Sequence, residues 1–276
     1  GEGHPANRTA IAVAGGIEGA VAAMRIHVGS SMIQEWGCKT LGVLAESDTA
    51  NQTAIAAAGG VESAVRAMRA HDGDEAVQEW GCYALSHLGE GHPANRTAIA
   101  VAGGIEQAVA AMRAHPVNGR IQQFGCWALC VLATSHTVNQ AAVVEAGGIE
   151  AVVIAMAGHE RNEEVQEYGC IALGALAADN ATNLKKIVEA RGIESIISAM
   201  KRHERADGVQ LWGGASLGAL AERHPPNQTV IAASGLFLGP ILSGRSARAR
   251  GGDGGGGGGQ TAIVAAGGVE RCLAAA

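Results

Sequence analysis

Residues 51–94 read NQTAIAAAGGVESAVRAMRAHDGDEAVQEWGCYALSHLGEGHPA, and nearly every feature of this phrase returns elsewhere at an interval of 44 residues. Asn7, Asn51, Asn95, Asn139, Asn183 and Asn227 keep that interval. So do Met24, Met68, Met112, Met156 and Met200, and likewise His27, His71, His115, His159 and His203. An aromatic followed by glycine recurs as Trp36, Trp80, Phe124, Tyr168 and Trp212. Residues 1–18 are repeated letter for letter as residues 89–106, two periods on, which points to recent duplication of a two-repeat unit. Self-similarity at a fixed period marks an architecture in which each unit buries its apolar face only by stacking on its neighbours.

Each period predicts three helices. Asn51 supplies a capping oxygen for a short first helix over 53–58, and the Gly59-Gly60 pair stops it. A second helix starts near Val61 and Glu62, an acid that the helix dipole favours in the first turn. Its apolar residues Val61, Val65 and Met68 follow helical spacing, and it ends near His71. The third helix covers about 75–88, with Val77, Trp80, Gly81, Ala84, Leu85 and Leu88 as a broad apolar stripe. A propeller of similar repeat length would need a Trp-Asp pair and alternating strands, and neither occurs. The class is all-α.

Composition narrows the function classes. Among 276 residues there are 41 Gly but no Gly-X-Y period, so collagen is excluded. The 26 acids outnumber 20 Lys plus Arg, giving a formal charge of −6, which speaks against a nucleic-acid partner. No apolar run reaches the roughly 18 residues of a membrane span, so no membrane partner is expected. Cys38, Cys82, Cys126 and Cys170 also lie 44 residues apart. Stacked helices stand roughly 8–10 Å apart, whereas a disulfide needs Cα atoms within about 7 Å. These cysteines are therefore expected as buried free thiols in a reducing compartment, the cytoplasm or nucleus. The opening Gly1-Glu2-Gly3, without a starting Met, matches the tail of a third helix, and the chain is expected to be a fragment whose uncapped ends self-associate.

The phrases at 51–62 and 77–88 resemble the armadillo repeat. The resemblance implies a right-handed α-solenoid of three-helix repeats with a 44-residue period. It covers an array over 1–235, with five full repeats at 7–50, 51–94, 95–138, 139–182 and 183–226 plus the first helix of a sixth. HEAT repeats, the nearest competitor, lack the short first helix.

Armadillo arrays hold extended peptides along a groove lined by the third helices. In nuclear-import members, a Trp and an Asn four residues later grip the ligand backbone. The Trp place falls here on Lys39, Tyr83, Trp127, Ile171 and Ala215; the Asn place falls on Val43, His87, Val131, Ala175 and Ala219. No Asn survives, which disfavours an import receptor. One turn earlier lie Glu35, Glu79, Gln123, Glu167 and Leu211. The candidate groove residues are thus Glu35, Lys39, Glu79, Tyr83, His87, Gln123, Trp127 and Glu167, and they imply a basic or amphipathic protein or peptide partner. The competing reading makes the glutamates an ordinary solvated helix face.

Other signals favour structure over chemistry. The His series is spaced too widely to share a metal and suits bonding to helix-terminal carbonyls. Cys126 and Cys130 suit core packing, and the aromatic-Gly series suits the inter-repeat core. The glycosylation-type tripeptides at Asn7, Asn51, Asn95, Asn180 and Asn227 suit helix capping. The Gly254–Gly259 run lacks the Gly-Lys-Ser/Thr of a phosphate loop, and no nucleophile elbow occurs, so neither enzyme activity nor cofactor nor metal is expected. The repeat grammar breaks at 236–259, an irregular Gly/Arg-rich stretch expected to be disordered. That stretch can be a linker, an insertion or an out-of-frame product. At 260–276 a partial repeat resumes, with a first helix and the start of a second. The function expected is a non-catalytic interaction scaffold; an import-type receptor and a helical accessory domain of a larger enzyme are the alternatives.

Overall fold

A computed structural model describes residues 5–178, 180–222 and 224–234. The first unit comprises α1 (Pro5–Val13), α2 (Gly16–Ile26) and α3 (Ser31–Ala45). The second is α4 (Thr49–Ala57), α5 (Gly60–Ala70) and α6 (Glu75–Gly89), and the third α7 (Pro93–Val101), α8 (Gly104–Ala114) and α9 (Gly119–Ala133). Next come α10 (Thr137–Glu145), α11 (Gly148–Gly158) and α12 (Glu163–Ala177), then α13 (Ala181–Glu189), α14 (Gly192–Arg202) and α15 (Asp207–Ala221). A last short helix, α16 (Pro225–Ala233), follows. No strand occurs among the described residues, and no single helix is long and apolar enough to cross a membrane. The chain is an all-α solenoid of armadillo-like three-helix units. The expectations for residues 1–3, 236–259 and 260–276 lie outside the described residues.

Third helices pack on third helices, α3 on α6, α6 on α9, α9 on α12 and α12 on α15, and the second helices stack beside them. Leu41, Leu85, Leu129 and Leu217 are fully buried, as are Ile55, Ile99 and Ile231 of the first helices. Ile11 holds the corresponding place in α1 and is 41% exposed, because no described third helix precedes it.

The glycine inside each third helix seats the methionine of its own unit. A Cβ on Gly125 would lie 2.5 Å from Met112 Cγ and 2.7 Å from its Sδ; Gly37, Gly81, Gly169 and Gly213 meet Met24, Met68, Met156 and Met200 in the same way. The small residue therefore serves a side chain, where close backbone passage is the usual explanation.

Capping differs from expectation. The first helices start about four residues earlier than predicted, and the caps are Asp48, His92, His136, Asn180 and His224. Each accepts a hydrogen bond from the backbone N–H of the series asparagine three residues on, at 3.0 Å for Asp48 and 3.2 Å for His92. The asparagines point elsewhere. Asn51 Nδ2 donates to Leu44 O at 2.8 Å, and Asn95, Asn139, Asn183 and Asn227 repeat that bond seven residues back. They thereby satisfy carbonyls that a helix end leaves without intrahelical partners. A parallel series, Gln34, Gln78, Gln122, Gln166 and Gln210, does the same for the second helices. Gln78 Nε2 donates to Met68 O at 2.7 Å and His71 O at 2.8 Å. The histidines bond across units and not to their own helix end: His71 Nε2 meets Val28 O at 2.7 Å, and His115 Nε2 meets Asp72 O at 2.8 Å.

The turns after the first helices carry one further cross-unit contact. Gly59, Gly103 and Gly147 adopt left-handed φ of 79°, 88° and 78°. Over each lies an arginine from the preceding second helix. Arg25 Nη2 donates to Ala58 O at 2.9 Å, Arg113 Nη2 donates to Gly147 O at 3.2 Å, and a Cβ on Gly103 would come within 2.9 Å of Arg69 Nη2. At the next junction both partners change together. Arg191 takes the left-handed position, φ 65°, and Ala157 stands where the arginine would be. A side chain at that turn and a guanidinium over it compete for the same space.

Candidate functional site

The third helices carry the candidate groove residues one turn apart, at helical positions that share a face. Glu35, Lys39, Glu79, Tyr83, Gln123, Trp127 and Glu167 are all half-buried, while His87 is buried.

Aromatic rings bind this face together. Tyr83 stands edge-on to Trp80 at 5.2 Å and to Phe124 of the next unit at 5.1 Å, with the His87 ring at 4.4 Å. His87 meets Trp127 at 4.6 Å, and Trp127 stacks on Tyr168 at 5.1 Å with 17° between planes. Both spacings are those of favourable aromatic pairs. The aromatic-Gly series, expected in the inter-repeat core, lies at its edge toward this surface: Phe124 is in the core, Trp80, Tyr168 and Trp212 are half-buried and packed against it, and Trp36 is 56% exposed. Trp80, Tyr83 and His87 are spaced i, i+3, i+7, so the shared face was legible.

Charges interleave with the rings. Lys39 Nζ lies 5.1 Å from the Trp36 ring centre and 4.5 Å from that of Trp80. Arg120, which sequence reasoning passed over, sits 5.7 Å from Trp80 and 5.5 Å from Phe124 and places Nε 2.7 Å from Glu79 Oε1. Burial pushes the Glu79 carboxyl above the usual range and Glu35 adds to this, while Arg120 and Lys39 pull it back. Glu167 is pushed up by burial and then by Glu164 and Glu163, with no cation drawing it down. The same burial, with Glu167 beside it, lifts the Tyr168 phenol to about 12. Tyr83 OH donates to Glu46, which also accepts from Arg8 Nη1 at 3.2 Å. His87 Nδ1 stands 3.6 Å from Glu90 Oε2, and the buried Trp127 Nε1 has no hydrogen-bond partner among the described residues. Gln123 makes no side-chain bond to the others. The face can hold an extended segment by ring contact and offers carboxylates to cations; it contains no nucleophile paired with a base.

A family model described as the LRRK2 ARM repeat matches residues 45–228. No curated protein matches the chain. Among solved structures, the chain is similar to an engineered protein at 27% identity and TM-score 0.73, covering 84% of this chain and 54% of that one. A second engineered protein is 26% identical with TM-score 0.69, over 79% of this chain and 85% of its own. A designed armadillo repeat protein in complex with the peptide (KR)4 shares the fold at 15% identity and TM-score 0.68, over 85% of this chain and 93% of its own.

Proposed function

The chain belongs to the LRRK2 ARM repeat family, and from that premise we propose that it is a non-catalytic scaffold whose third-helix face holds a basic or amphipathic protein segment. One observation carries the reading. The rings from Trp80 through Tyr83, Phe124, His87 and Trp127 to Tyr168 form a continuous contact row across three units, with carboxylates along it. Half-buried aromatics supply large contact area at small entropic cost, and half-buried carboxylates reward a partner that brings positive charge. The peptide-bound designed relative of the same fold is consistent with this use. Five buried free thiols suit a reducing compartment, and the cytoplasm is the proposed location.

No observation favours an import-type receptor or an enzyme's accessory domain. At the places where import receptors carry their amides this chain has no Asn: His87, Val131 and Ala175 are buried, and Val43 and Ala219 are half-buried. A tiled peptide array followed by titration of the hits tests the proposal. The double variant Tyr83→Ala/Trp127→Ala should weaken the best hit more than tenfold, since each ring at a well-packed contact carries about 1 kcal/mol or more. Binding unchanged in that variant, at native helicity, sinks it.

A further inference from the structure

Three of the five caps described for the first helices are histidines, and the bonds of two of them fix the imidazole in one protonation state. His92 Nδ1 accepts the Asn95 backbone N–H at 3.2 Å, and His136 Nδ1 accepts that of Asn139 at 3.2 Å. At the other edge of each ring, His92 Nε2 stands 3.0 Å from Thr53 Oγ1, and His136 Nε2 stands 3.0 Å from Thr97 Oγ1. Each threonine belongs to the first helix of the preceding unit. Each hydroxyl already donates its proton within its own helix, Thr53 to Thr49 O at 2.8 Å and Thr97 to Pro93 O at 3.3 Å. It can therefore only accept from the ring, so Nε2 carries the hydrogen and Nδ1 is the bare nitrogen. One neutral imidazole thus starts a helix and ties it to the helix before.

A second ring proton has no acceptor. On Nδ1 it would oppose the backbone N–H that the ring now accepts, donor against donor. It would also put positive charge at a helix N-terminus, the end that favours anions. No carboxylate compensates, since among the described residues the histidines close to one are His87, His115 and His203. Glu90, two residues before His92, lies 3.6 Å from His87 Nδ1. Near His136 the charged neighbour is a cation, Arg96 of α7, whose Nη1 donates to Thr134 O at 2.8 Å. Other seams are built differently. Asp48 and Asn180 cap α4 and α13 with side-chain oxygens. His224 caps α16, but the place of the threonine falls on Lys185, which offers no acceptor.

We propose that His92 and His136 form a proton-sensitive latch: mild acid releases the seams α4–α7 and α7–α10 and spares the helix starts at α4 and α13. Imidazole is the side chain whose charge ordinarily changes in that range. The two seams join the three units that carry the ring row from Trp80 to Tyr168, so the latch acts on that face without belonging to it.

Amide hydrogen exchange of the full chain, read as protection factors at about pH 7.5 and about pH 5.5, tests this with controls inside the molecule. Protection in the first turns of α7 and α10 should fall about five- to tenfold on acidification, the scale of a lost helix cap. Protection in α4 and α13 should hold, because aspartate and asparagine oxygens accept at both pH values. The variant His92→Asp/His136→Asp places the α4 cap at both sites and should abolish the acid loss. It is compatible with folding, since Asp48 makes the same bond at 3.0 Å. As a second measurement, proton–nitrogen correlation spectra of the wild-type rings at about pH 7.5 should show the hydrogen of both on Nε2. A hydrogen on Nδ1, an equal acid loss in α4 and α13, a loss that the aspartate variant retains, or no loss at all overturns the latch. No partner enters either measurement, so the latch and the groove reading stand or fall separately.

Discussion

Replacing Gly125 with alanine puts two effects of opposite sign in one residue. Within α9 an alanine is about 1 kcal/mol better than glycine on helix propensity alone. The added Cβ, however, falls 2.5 Å from Met112 Cγ and 2.7 Å from Sδ, closer than non-bonded carbons approach, and Met112 is only 2% exposed. Overpacking of this kind costs about 1–3 kcal/mol, and outright expulsion of the thioether approaches the ~2–5 kcal/mol of a methionine truncation. The packing term wins, for a net loss of about 1–2 kcal/mol. The internal control is Gly19→Ala: Gly19 lies inside α2 with nothing within 4 Å of a Cβ, so the propensity gain should appear unopposed. Urea unfolding followed by helical circular dichroism, with equal slopes checked between variants, reads both. A second arm places Met112→Ala in the Gly125→Ala background, where truncation should cost less than in wild type because the new methyl already occupies part of the seat. A Gly125→Ala midpoint raised as far as that of Gly19→Ala would refute the seat.

Glu167→Gln should stabilise the free protein at neutral pH, by under about 1 kcal/mol because the half-exposed carboxylate is screened. Its folded pKa lies above the ordinary 4.5, so its favourable contribution is complete below that value and is lost as pH rises through the folded pKa. The advantage of glutamine should therefore shrink toward acid, and melting curves across that range check it; a gap that widens toward acid would contradict the sign. For the thiols, burial pushes those of Cys38, Cys82 and Cys130 up to about 12 and those of Cys126 and Cys170 higher still. All five should resist alkylation at mildly alkaline pH until the chain unfolds, as peptide mass mapping can show.

The period, the three helices per unit and the glycine turns were legible because each leaves a local mark: a helix stop, a repeated aromatic, an apolar stripe. The candidate face was read by resemblance; the structure links Tyr83, His87 and Trp127 by ring contacts and pairs Glu79 with Arg120. What stayed hidden is contact across units. Nothing local distinguishes Arg120 from any surface arginine; only the stacking of α9 on α6 sets it against Glu79. The series asparagine looked like a cap because Asn is a good cap, yet the true cap three residues earlier varies among Asp48, His92, His136 and Asn180, so it showed no series to notice. The glutamine series was in plain view at the same interval, but its bonds go ten and seven residues back, to a helix end that only the fold brings near.

The exchange of Arg and Gly for Ala157 and Arg191 bears on how such a chain can be rearranged. A unit ending in an arginine like Arg113 requires that the following unit open its turn with a bare glycine, whereas the unit beginning at α13 accepts only a short residue upstream. Units of this chain are therefore not freely shufflable: unequal crossing-over that joined α8 to α14 would bring a guanidinium onto the Arg191 Cβ. What is inherited intact across a duplication is the seam between two units, and a copied pair, such as the one visible in residues 1–18 and 89–106, carries its own seam with it.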